Sequence, residues 1–169
     1  MVVTLPDGTR FTLTGERAVP FGARVDARKG RVRITADDGR GGTYSAVFYD
    51  GVFVPSQRGT KARVIIELRL VEDVGLASCP APRKAAAARK KKPPRKRRLW
   101  GDGKGSFSIK GRHSAATARG TLWLVQDSCA GTLTQVRRGV VEVRDFTRRR
   151  TVRVQAGQRY VAKPPRRRR

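Results

Sequence analysis

Short runs of alternating side chains, separated by glycine-bearing turns, recur along nearly the whole chain. They leave little room for anything but β-structure. In GVVEVRD (139–145), Val141 and Val143 share one face while Glu142 and Arg144 share the other. Val152 and Val154 repeat the arrangement around Arg153, and Val32 and Ile34 alternate with Arg31, Arg33 and Thr35. Successive strand side chains point to opposite faces, so each run has one apolar and one polar side. Pro6-Asp7-Gly8, Asp37-Asp38-Gly39 and Asp50-Gly51 carry turn chemistry between such runs. One strand is predicted over 62–71, with its buried centre at Val64–Leu70. After Ser106 the runs FSIK, SAATA, TLWLVQD, TLTQVRR, VVEVRD, TVRVQ and RYVAK follow closely. About twelve short, mainly antiparallel strands imply an all-β chain, a compact roll or sandwich. Arginine at many outward positions discourages edge-to-edge pairing. Similar runs at 29–35, 50–55 and 138–144 suggest a duplicated half-domain, or the generic look of tight hairpins.

Two stretches break the alternation. PAPRKAAAARKKKPPRKRR (80–98) holds ten basic residues and no acid, and KPPRRRR (163–169) holds five more. Neither has enough apolar surface to offset ordering entropy, so both are predicted to be disordered. The chain then divides into a first β half-module (1–79), a basic linker (80–98), a second β half-module (99–162) and a basic tail (163–169). These stretches supply much of an extreme balance, 39 Lys and Arg against 13 Asp and Glu, net +26. Part of the arginine excess matches the codon bias of a GC-rich genome. The rest points to anionic partners: nucleic acid, anionic lipid or acidic polysaccharide.

The candidate polyanion-binding residues are Arg89, Lys90, Lys91, Lys92, Arg95, Lys96, Arg97 and Arg98, then Arg149 and Arg150 on a strand edge. Arg166, Arg167, Arg168 and Arg169 complete the set. Such clusters bind by releasing counterions, with strong salt dependence. Trp100 lies beside the run, either as a core or rim aromatic or as a platform for a base or sugar. A solvated, flexible linker with no ligand is the competing reading.

Two cysteines carry the remaining chemistry. Cys79 ends the first half and Cys129 sits in a hairpin turn of the second, both in polar contexts (LASCPAP and QDSCAGT). A disulfide, free thiols and a metal site are all open; the placement at strand ends favours the disulfide. That bridge would close a loop of about 50 residues and stabilise by about 4 kcal/mol. It would also imply an oxidising compartment. MVVTLPDGTR shows no basic region followed by an apolar core, so an exported reading calls for a leader outside this sequence. No apolar run reaches the ~18 residues of a membrane helix.

Catalytic signals are weak. The single histidine, His113, has no partner pattern, and Ser114 lacks the elbow context of a nucleophile. GDGKGS (101–106) is not a phosphate-binding loop and reads as an ordinary loop. The chain reads as non-enzymatic, with no cofactor and no small-molecule substrate.

The stretch from Ala116 to Lys163 resembles the C-terminal half of a FecR-type domain, and the resemblance extends over most of the chain, strongly from 99 to 162. The resemblance rests on Arg119-Gly120-Thr121, on Gly139-Val140-Val141-Glu142-Val143 and on Ala156-Gly157-Gln158. Asp127, Cys129, Gly131, Thr132 and Leu133 match a D-x-C-x-G-T-L turn found in such modules of secreted or surface proteins. The resemblance implies a structural β-module outside the cytoplasm, often with a cysteine before a basic linker. The family's best-known members relay signals to sigma factors through a membrane helix that this sequence lacks, so only the β-module carries over. The expectation is an extracytoplasmic structural, sensing or interaction module that contacts cell-wall polymer or nucleic acid through its basic segments. The alternative is a cytoplasmic nucleic-acid-binding protein with a β core and basic arms.

Overall fold

The computed structural model describes residues 1–60, 63–72, 74–79, 95–118 and 120–165. Fifteen strands form two sheets. β1 (Val2–Thr4), β2 (Arg10–Thr12) and β3 (Arg24–Asp26) are short; β4 (Arg31–Asp37), β5 (Thr43–Tyr49), β6 (Val52–Thr60) and β7 (Arg63–Leu70) are longer. A 3-10 turn, Leu76–Ser78, precedes Cys79. The second half runs β8 (Lys96–Gly103), β9 (Phe107–Lys110), β10 (Ser114–Ala118) and β11 (Thr121–Ser128). It continues with β12 (Gly131–Arg138), β13 (Val140–Asp145), β14 (Arg150–Gln155) and β15 (Arg159–Ala162). The chain is thus all-β and mostly antiparallel, as its alternation implies.

The nine-stranded sheet has the order β14-β13-β10-β9-β7-β6-β3-β1-β2, and the six-stranded sheet β15-β12-β11-β8-β5-β4. Each half of the chain contributes a contiguous block to both sheets. The blocks meet at two seams, the parallel pair β7–β9 and the antiparallel pair β5–β8. The halves lie side by side, and neither sheet belongs to one of them.

The sheets pack face to face over the apolar side of each alternating run. Phe48 of the six-stranded sheet lies 5.2 Å from Phe107 and 6.1 Å from Phe53 of the other, ring centre to ring centre. Trp123, fully buried, meets the same Phe48 edge to face. Val141, Val143 and Val154 point inward as their spacing implies. Gly101 makes the aromatic cluster fit: a Cβ there would stand 2.7–2.9 Å from the Trp123 and Phe48 rings.

Two expectations need correction. The basic linker does not extend to 98, because Lys96–Arg98 open β8 and pair with Gln126–Ser128 of β11. The alternation Arg97-x-Leu99-x-Gly101 carries them into the sheet, since Leu99 is fully buried. GDGKGS is likewise not one loop, because Gly101–Gly103 complete β8 and only 104–106 turn away.

A basic end of the sandwich

The site is built around a buried carboxylate. Asp127, on the inner face of β11, is fully buried. Its Oδ2 accepts from Arg97 Nε and Nη2, both at 2.9 Å. Thr132 of β12 donates its hydroxyl to Oδ1 at 2.5 Å, and the Arg112 amide donates at 3.0 Å. The backbone comes this close because Gly111 has no side chain: a Cβ there would overlap the Asp127 carboxylate. A buried carboxylate is tolerated only when paired and hydrogen-bonded, and here every donor comes from a different segment.

The same residues hold the end of the first half. Cys79 and Cys129 are joined by a disulfide, with Cα atoms 5.3 Å apart. Arg112 also donates to the Leu76 carbonyl, and Arg97 to the Glu72 carbonyl at 3.4 Å. The Asp-x-Cys-x-Gly-Thr turn therefore has a physical purpose. Its aspartate, threonine and cysteine each fix a different strand or segment at one point.

A chain of hydrogen bonds carries this point across to the other sheet. The His113 amide donates to Thr132 Oγ1 at 3.0 Å, and the Phe146 amide donates to the His113 carbonyl at 3.0 Å. Phe146 begins the β13–β14 turn, and Thr147 of that turn donates its hydroxyl to the Lys163 carbonyl at 2.9 Å. Asp145, also buried, accepts from the Tyr160 hydroxyl at 2.7 Å and from the Arg148 amide at 2.8 Å. Burial pushes its pKa up, but the Arg148 amide and Tyr160 hydroxyl outweigh this and hold it below the ordinary value. His113 is shifted down by burial and by the neighbouring Arg112 charge, against the pull of both aspartates.

The topology thus delivers cations to one end of the sandwich. Arg95 and Lys96, where the basic run joins β8, are exposed there. Arg149, with φ 52° in the β13–β14 turn, and Arg150, which opens β14, are exposed at the same end. Both basic stretches are rooted here, the first between Cys79 and Arg95 and the second at Lys163. Arg89, Lys90, Lys91, Lys92 and Arg166–Arg169 lie outside the described residues. Arg97 is the exception among the candidates, because it points inward to Asp127 with a side chain only 17% exposed.

From this end, the outer face of β8 leads to a feature with no local sequence signal. Tyr49 of β5 and Trp100 of β8 stack, 6.2 Å between ring centres and 8° between planes. Arg31 of β4 covers the Tyr49 ring at 4.4 Å, and Arg137 of β12 covers the Trp100 ring at 5.3 Å. Tyr49 and Arg137 approach Trp100 from strands on opposite sides, so the indole stands between a tyrosine ring and a guanidinium. The ladder presents guanidinium edges, which suit anions.

Among the described residues, no group of His, Cys, Asp and Glu could hold a metal ion, and no helix is long and apolar enough to cross a membrane. Compared with family models, with curated proteins and with solved structures, the chain has no match.

Proposed function

We propose that this chain is a non-enzymatic interaction module, similar to FecR-type domains, that works outside the cytoplasm and binds anionic polymers at the basic end of its sandwich. One observation carries the reading. The fold roots both basic stretches and the Arg148–Arg150 turn at the same end, around Asp127 and the disulfide. Clustered cations with no matching acids neutralise a polyanion better than the same charges spread over the surface. The disulfide supports an oxidising compartment. The buried carboxylates support a binding rather than a catalytic role, since their oxygens are occupied by Arg97, Thr132, Tyr160 and backbone amides.

The test is a salt series of affinity for a heparin fragment and for a single-stranded oligonucleotide, using the full chain. Binding should fall steeply with salt, and changing Arg148, Arg149 and Arg150 to Gln should make the log–log slope shallower by roughly two. No binding at low salt, or an unchanged slope in the triple variant, would refute the assignment. Much tighter binding of the oligonucleotide than of heparin would favour a nucleic-acid-binding protein instead. Mass spectrometry of the native protein under non-reducing conditions should find no free thiol.

A further inference from the structure

The outer face of the nine-stranded sheet, opposite the sheet that bears the arginine ladder, carries a groove of about 260 Å³, and Phe146 and Thr151, which flank the Arg148–Arg150 turn, line one end of it. Its origin is a row of small residues where the second half needs none for packing. On β9 and β10 the outward positions are Ser108, Ala115 and Thr117, between taller neighbours on β7 and β13.

Strand pairing arranges the walls in rows. Ala115 lies directly between Lys110 of β9 and Arg144 of β13. Thr117 lies between Ser108 and Glu142. Arg58 and Glu67 close one side, joined by an ion pair of 3.0 Å, while Lys110 reaches Glu67 at 3.3 Å. Among the described residues, Arg144 and Glu142 have no side-chain partner. Phe146, 37% exposed, forms an apolar rim.

Thr117 forms the polar part of the floor, above Ser108. Ser108 is fully buried, and its Oγ accepts from Arg58 at 3.4 Å and from Thr117 at 3.2 Å. Thr117 spends its proton on Ser108, and its oxygen keeps lone pairs to accept with. A donor entering the groove can therefore hydrogen-bond to Thr117.

We infer that the groove is a binding site for one carboxylated sugar ring, a hexuronic acid. The carboxylate lies over Ala115 between Lys110 and Arg144, where guanidinium can pair with it through two hydrogen bonds. Ring hydroxyls donate to Glu142 and to the Thr117 oxygen. The C–H face of the ring rests on Phe146. The groove is smaller than the ~300 Å³ at which drug-sized pockets begin, which fits a single ring. Glu67 and Glu142 decide against phosphate, because a doubly charged group would face two carboxylates at close range. The site narrows the class of polymer proposed above to uronate-bearing ones, but it uses none of the same residues, so either assignment can fail alone.

The experiment is a heteronuclear NMR titration of the full chain with glucuronate, glucose and inorganic phosphate in parallel. Glucuronate should shift the amides of Ser108, Ala115, Thr117 and Arg144 saturably, with Kd near ~1 mM. Glucose and phosphate should bind at least about tenfold more weakly. Ala115→Leu fills the groove from its floor and Arg144→Gln removes one wall. Each should weaken glucuronate about tenfold and leave unchanged the affinity for the single-stranded oligonucleotide, which carries no uronate. If Ala115→Leu loses its dispersed spectrum, Arg144→Gln carries the test. No saturable shift, equal shifts from phosphate or glucose, or wild-type affinity in Arg144→Gln would overturn the assignment.

Discussion

Arg97 and Arg98 are consecutive on β8 and end in opposite circumstances. Arg97 turns inward and meets Asp127 at 2.9 Å, its side chain 17% exposed against a carboxylate with no exposure. Arg98 turns outward and meets Asp50 at 2.7 Å, the two side chains 52% and 36% exposed. The pairs have similar lengths and the same chemistry. Water separates them: an exposed pair is screened and contributes little, whereas breaking a buried one strands a charge in a poor solvent. The last residues of the basic run thus do two jobs. Inward positions lock the halves together, and outward positions supply the charged surface.

Removing the disulfide should have the largest effect. Cys79 and Cys129 are 50 positions apart, so Cys79→Ser with Cys129→Ser should cost about 4 kcal/mol through the freed loop. Urea unfolding with and without reductant reads this directly. A loss below about 1 kcal/mol would mean that the Asp127 contacts alone hold the end together. Next comes Arg97→Ala, expected to cost about 3 kcal/mol, because Asp127 stays buried with neutral donors only. If Arg97→Ala is no worse than Arg98→Ala, burial does not separate the two pairs.

Asp145 sharpens the contrast, since it is buried like Asp127 but held by a hydroxyl and backbone amides. Its folded pKa lies below the ordinary 3.8, so its contribution is complete above that value and is lost as pH falls through the folded pKa. Tyr160→Phe removes a donor to the charged form and should cost about 1.5 kcal/mol at pH 7. The folded pKa then rises, so the acid unfolding midpoint should move to higher pH. A midpoint that stays put would show that the amides of Arg148 and Thr147 suffice. His113 adds a milder slope. Its pKa lies below the ordinary 6.5, so stability declines as pH drops beneath that value, and His113→Gln should flatten the decline.

Much of the fold was legible because alternation is local. Val141 with Val143 and Val152 with Val154 declared their inward face without reference to any partner. Strand number was less legible, since β1, β2 and β3 are three residues each and barely alternate. Arg97 was hidden by its company. A run of cations reads as one solvated unit, although Leu99 and Gly101 continue its inward parity. The arginine ladder was not legible at all. Tyr49 and Trp100 become neighbours only through the β5–β8 register, and Arg31 and Arg137 arrive from two further strands. The groove was hidden for the same reason, because its floor and walls come from six strands. Composition overstated the surface role of Arg97 and gave no sign of the sites made by long-range pairing.

Arg98→Ala should have the smallest effect on stability and is the most direct test of the comparison. Its partner Asp50 lies in a turn with its side chain 36% exposed, so it remains solvated when the arginine is gone. The expected loss is within about 0.5 kcal/mol, as for other exposed pairs. Binding should respond more than stability does. Arg98 stands beside Lys96 and Trp100 on the outer face of β8, between the basic end and the ladder. Losing one contact should make the salt slope of oligonucleotide binding shallower by about 0.7. Thermal unfolding and the salt series can be run on the same preparation. An Arg98→Ala protein that melts like wild type and binds polyanion with a shallower slope would assign the two faces of β8 as stated. One that loses stability without losing affinity would reverse them.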